Sequence, residues 1–231
     1  MVATPSKLQR PVGDRVKTDA RDAEHLAKLL RLDQIVGVTV PSAEAETIRD
    51  VVRAWEDSQQ VLTGNRHQLS NLLLRHGLVY DGGAARTTKL DTWLRQHRTI
   101  GDGSFTTSFD AYCEAVTQTV ARLNRLDTLI QDLAANSSVA PMVTRPACLR
   151  GVSALTGLAL AVEIEDWHRL TGKTIGSFVG LVPLEYSSGQ SRLLSGITKT
   201  GNPHVRWLLV EAPWQHRRDY RPGPTSVMQS R

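Results

Sequence analysis

Cysteine is scarce in this sequence. Cys113 and Cys148 stand far apart, which excludes a disulfide framework and any cysteine-based zinc spacing. The seven histidines show no paired metal-ligand spacing. Long hydrophobic runs are also missing. The longest, Leu155–Val162, falls far short of the ~20 residues a membrane helix needs. No signal-peptide pattern opens the chain. These absences predict a cytoplasmic protein with no membrane span.

What is present suffices for one or two domains with their own cores: 231 residues, 40% of them hydrophobic. The net charge is +5 and the pI near 9.5. Placement matters more than size. Arg192, Lys199, His204, Arg206, His216, Arg217, Arg218 and Arg221 crowd the last part of the chain, against Glu211 and Asp219. Such a patch is the electrostatic footprint expected for nucleic acid. From Arg217 onward, a merely solvated basic tail reads the same way.

Residues 1–16, with Pro5, Pro11 and Gly13, read as loop. A helix follows, with Ala23, Leu26, Ala27 and Leu30 spaced as one face. Asp19 and Asp22 lie three apart at its start. They can act as a capping pair favoured by the helix dipole, with Asp19 as N-cap, or as two ligands of a hard divalent cation. Ile35–Val40, ended by Pro41, predicts a strand.

The middle of the chain is helical. A long helix is expected from Ala43 to His76 with a seam of Ile48, Val52, Trp55, Leu62, Leu69, Leu73 and His76, stopped by Gly77. A short helix is expected around Lys89–Arg98. A second long helix over Ser108–Ala135 carries Phe109, Tyr112, Val116, Thr119, Leu123, Leu126, Ile130 and Leu133. The pair predicts an antiparallel hairpin or a dimerising coiled coil. Residues 137–146, with two prolines, read as a linker. Beyond it, Arg150-Gly151-Val152 before an apolar helix suggests a glycine turn that offers backbone N–H groups to a DNA phosphate. Gly172-Lys173-Thr174 is not a phosphate loop, because Trp167 stands where its first glycine belongs.

The most informative stretch is Gly180–Trp214. Pro183, Gly189, Gly196 and Gly201 predict that it is mostly loop, ending in a helix with Asn202 as N-cap and Pro203 at the first position. Ser187, Ser188, Arg192, Thr198, Lys199, Asn202, His204 and Arg206 line it. A hydroxyl, basic side chains and a helix N-terminus suit the binding and attack of a phosphodiester.

Gly180-Leu-Val-Pro183, Ser188-Gly189 and Ile197-Thr-Lys199-Thr-Gly201-Asn202 with Arg206 together resemble the carboxy-terminal transposase domain of the insertion-sequence-110 family, grouped with 116 and 902. Lys17-Thr18-Asp19 with Asp22-Ala23 resembles the end of that family's RuvC-like nuclease domain. The resemblance implies a DNA transposase or recombinase with Ser188 as nucleophile and Ser187 as the alternative. It implies Asp19 and Asp22 as the last two of four acidic Mg²⁺ ligands. Arg150, Gly151, Arg192, Thr198, Lys199, Asn202, His204 and Arg206 become nucleic-acid contacts. It also implies DNA, a structured guide (bridge) RNA and further copies of the chain as partners, the last through the coiled coil.

The expected fold is mostly α. Residues 1–41 would be a remnant of a RuvC-like α/β domain, 42–136 a helical coiled-coil hairpin and 137–146 a linker. Residues 147–217 would form a small transposase domain resembling a helix-hairpin-helix, and 218–231 a disordered tail. With half of the acidic set lacking, the chain reads as an amino-terminally truncated fragment, inactive by itself. A non-catalytic DNA- or RNA-binding module is the alternative.

Overall fold

The computed structural model describes residues 2–3, 8, 18–35, 37–38, 40–83, 88–100, 103–188 and 191–217. The expected tail from Arg218 lies outside them. The chain forms two compact units, residues 1–43 and 44–231, and the fold is mostly helical.

In the first unit, β1 (Val2–Ala3) pairs antiparallel with β2 (Gly37–Val38). The strand expected at 35–40 thus has a neighbour, from a segment that reads as loop in the sequence. Between them lies α1 (Asp19–Arg31), whose N-cap is Thr18 rather than Asp19: the Thr18 hydroxyl accepts from Arg21 N–H. Asp19 and Asp22 occupy the first turn, and Lys28 and Arg31 the last, each sign suiting its end of the dipole. The buried residue is Leu29; Leu26 and Leu30, on the expected inner face, are exposed. Two-residue strands have too little surface to bury that flank as well.

The second unit is built on α2 (Ala43–Arg75) and α4 (Gly103–Asn136). They run antiparallel. Trp55 Nε1 donates to Asp127 near one end, and Asn65 Nδ2 reaches the Ala115 carbonyl and the Thr119 hydroxyl near the middle. At the far end Leu69, Leu72 and Leu73 pack on Phe105 and Phe109, with Trp93 and Leu94 of α3 (Thr88–His97) against them. Of the two arrangements the seam allowed, the structure shows the intrachain hairpin. Helix α2 ends as expected at Gly77 (φ 70°), with Leu78 N–H bonded to the Leu73 carbonyl and Gly77 N–H to that of Leu74.

Residues 137–146 are not a linker. Ala140–Ala147 form α5, with Pro141 in its first turn where no N–H is needed, and Val139 and Val143 are buried. Helix α6 (Ala154–Ile164) follows, capped by the Ser153 hydroxyl. It is apolar nearly all round, and Leu158 to Val162 are essentially inaccessible. The same core holds Ile48 and Val52 of α2, Ile130 of α4, and Val205 and Leu208 of α8 (Pro203–Glu211). The long helices and the carboxy-terminal segment therefore share one core. A short helix, α7 (Ile175–Phe178), leads to a β-hairpin of β3 (Pro183–Ser188) and β4 (Ser191–Ile197). A 3₁₀ turn, Ala212–Arg217, closes the described residues. Pro213 supplies no N–H to extend α8.

Candidate nucleic-acid interface

The segment that reads as loop is mostly this hairpin. Tyr186 pairs with Leu193, Ser187 with Arg192 and Ser188 with Ser191, so only two residues connect the strands. Those two, Gly189 and Gln190, lie outside the described residues. Leu184 and Tyr186 stand two apart on β3, but the strand is exposed throughout and the glycines and serines around it read as loop. Pairing sends Ser187 and Ser188 to opposite faces. Ser187 Oγ donates to Glu185 Oε1 at 2.6 Å. Ser188 is exposed, at the end of its strand, with no side-chain hydrogen bond among the described residues.

The base of the hairpin is held by backbone interlock. Thr198 N–H donates to the Val182 carbonyl and Lys199 N–H to that of Gly180. A Cβ on Gly180 (φ 68°) would lie 2.0 Å from the Thr200 oxygen, and one on Gly201 (φ 96°) 1.9 Å from the Phe178 oxygen. Only glycine permits this approach, which is the physical content of the Gly-x-x-Pro and Lys-x-Gly-Asn spacing. Lys199 itself adopts φ 54° and is exposed. Such a conformation costs a non-glycine residue about 1 kcal/mol or more. Thr198 accepts from Thr200 Oγ1 at 3.2 Å.

The next motif residues face inward. Asn202 caps α8 through Oδ1, which accepts from the His204 and Val205 amides, while its Nδ2 donates to Glu163 Oε2 at 2.7 Å. His204 lies between two carboxylates. Its Nδ1 is 3.1 Å from Glu163 Oε1 and its Nε2 2.8 Å from Glu56 Oε1. These hydrogen bonds, that to Glu163 foremost, outweigh burial and raise His204 to about 9. The His204 bond, ahead of those from Asn202 and the Arg49 charge, lowers Glu163 to about 2 despite its burial. Arg206 donates to the Val179 carbonyl at 2.8 Å. Asn202, His204 and Arg206 thus hold the fold beneath the hairpin. Glu56 and Glu163, which complete the network, escape sequence reasoning; the one available signal is Glu163 as the sole charge in an apolar helix.

The other expected residues lie apart. Gly151 (φ 89°) turns between α5 and α6, but a Cβ there would meet the Ala212 oxygen at 2.2 Å. The 3₁₀ turn covers it, and His216 Nε2 lies 3.0 Å from the Arg150 carbonyl. The Arg192 backbone pairs with Ser187; its side chain lies outside the described atoms. In the first unit Asp19 is exposed and Asp22 partly buried. No cluster of three or more possible metal ligands occurs among the described residues, and no helix there is long and apolar enough to cross a membrane.

Residues 147–223 match the sequence pattern of the Transposase IS116/IS110/IS902 family. The chain is 34% identical over 224 residues to the putative transposase y4qE of Sinorhizobium fredii, covering 96% of this chain and 54% of that protein. It is 29% identical over 225 residues to the transposase for insertion sequence element IS1533 of Leptospira borgpetersenii, covering 94% and 64%. To the transposase for IS1111A of Coxiella burnetii it is 24% identical over 196 residues, covering 84% and 53%. The chain therefore spans between about half and two thirds of the length of these relatives. On the shared motifs and these matches, residues 147–223 of the chain belong to the IS116/IS110/IS902 family of transposases.

Proposed function

We propose that this chain is the DNA-binding, serine-bearing part of a transposase acting in the cytoplasm, with Ser188 as nucleophile in strand exchange. The hairpin tip is the observation that supports this most. Ser188 is exposed beside a two-residue turn, whereas the Ser187 hydroxyl is engaged by Glu185. Ser188 Oγ attacks a DNA phosphorus. The Oγ–P bond forms as P–O3′ breaks, the hydroxyl proton departs, and the leaving 3′ oxygen takes one up. The DNA remains joined as a 5′-phosphoserine; attack by a 3′-hydroxyl on that phosphorus then forms O3′–P as Oγ–P breaks, resealing a strand and returning the serine hydroxyl. A serine hydroxyl is a weak nucleophile that needs activation; Lys199 is exposed at the base of the hairpin, the end opposite Ser188, and suits a contact to the DNA backbone away from the reacting phosphorus.

The same reading includes a structured guide RNA and further copies of the chain as partners. The α2–α4 seam is used within the chain, so self-association would employ other surfaces. It also includes Mg²⁺ at Asp19 and Asp22. Two carboxylates one helical turn apart do not make up a Mg²⁺ site, which demands octahedral oxygen coordination. No step is assigned to the metal.

Incubation of the chain with element-end DNA, guide RNA and Mg²⁺, followed by a denaturing gel, tests the proposal. A covalent protein–DNA band lost in Ser188→Ala and kept in Ser187→Ala is the outcome that the nucleophile assignment requires, and it would set aside the expectation that the chain is inactive by itself. Salt-sensitive binding without an adduct would leave a DNA-binding module and overturn the nucleophile assignment.

A further inference from the structure

We propose that Tyr186 is the base-stacking residue of this site: an unpaired nucleobase lies on the Tyr186–Leu193 face of the hairpin and holds the adjoining phosphodiester against Ser188. The inference rests on the reading of Ser188 given above and names how the substrate is positioned.

Strand alternation carries it. Tyr186 and Ser188 are two residues apart on β3, so they share a face about 6.7 Å apart along the strand. Their partners Leu193 and Ser191 complete that face. One end of it is apolar and the other bears the hydroxyls. Tyr186 is 65% exposed and Leu193 62%. Among the described residues the Tyr186 hydroxyl makes no hydrogen bond. An aromatic ring backed by leucine on an open two-stranded ribbon is a stacking platform of the kind that holds unpaired bases. The opposite face differs, because Glu185 and Ser187 satisfy each other there.

Charge selects the occupant. From Tyr186 to Arg217 the sequence contains Arg192, Lys199, Arg206 and Arg217 but a single carboxylate, Glu211. The Tyr186 face itself bears no charged side chain, but two copies of a chain with net charge +5 repel one another at long range. A polyanion meets no such penalty.

The test uses the full chain and a single-stranded oligonucleotide carrying 2-aminopurine, with affinity read by anisotropy and stacking by 2-aminopurine emission. Tyr186→Ala should bind roughly five- to a hundredfold more weakly, the loss expected for one stacked base, and abolish the emission change. Tyr186→Phe should retain both, and Trp207→Ala, altering another exposed aromatic, should leave both unchanged. Circular dichroism checks that each variant is folded. Wild-type affinity and emission change in Tyr186→Ala would overturn the inference while leaving Ser188 untouched. So would loss of self-association on sedimentation with oligonucleotide binding intact, which would give the face to a second copy. Emission changes that depend on Tyr186, but no Ser188-dependent adduct, would support stacking and remove the nucleophile assignment alone.

Discussion

His204 is held protonated because a carboxylate faces each of its ring nitrogens. Its pKa rises from 6.5 to about 9, so its contribution to stability is complete below pH 6.5 and disappears as pH climbs through 9. Glu163 falls from 4.5 to about 2, so its contribution is complete above pH 4.5 and is lost on acidification toward 2. These are two views of one interaction, counted once at about 2 kcal/mol. Urea unfolding across pH should show a loss of that size between pH 6.5 and 9, and His204→Gln should flatten it. Gly201→Ala should cost at least about 2 kcal/mol, since positive φ and a backbone clash act together. The same unfolding measurement, at one pH, checks this. The His204 effect is not written in the local sequence: Glu56, Glu163 and His204 are far apart along the chain and meet only on folding.

Helix α6 is the element on which the second unit depends. Leu158 and Val162 have no exposure, and α2, α4, α5 and α8 all contribute to their core. Leu158→Ala should destabilise the protein by about 2–5 kcal/mol, the range for emptying a fully packed leucine site, seen as a lower urea midpoint at unchanged slope. Arg49 adds a polar tie by donating from Nε and a terminal nitrogen to the Val162 carbonyl. The long helices were legible in the sequence because their seam repeats over many turns and Gly77 ends one of them. The β3–β4 hairpin was not. Its residues are exposed on both faces, so no alternation of buried and polar positions marks it, and its glycines and serines look like loop. Helix α5 was hidden by its two prolines, one tolerated in the first turn and the other near the end.

At the scale of the whole molecule, a modest net charge of +5 is unevenly distributed. If two to four phosphates are neutralised, raising salt from 50 to 200 mM should weaken DNA binding roughly ten- to a hundredfold, measurable by anisotropy. A salt-independent affinity would contradict the nucleic-acid reading. Sequence by itself determined the family, the helical class and the identity of the motif residues, because spacing of glycine, proline and hydroxyl residues constrains the local backbone directly. Tertiary structure alone decided which of those residues face outward. Asn202, His204 and Arg206 are committed to Glu163, Glu56 and the Val179 carbonyl, whereas Ser188, Tyr186 and Lys199 remain exposed. The physical reason is that a buried or half-buried polar group must find a partner, and the partners here come from helices that adjoin the motif only in the folded chain.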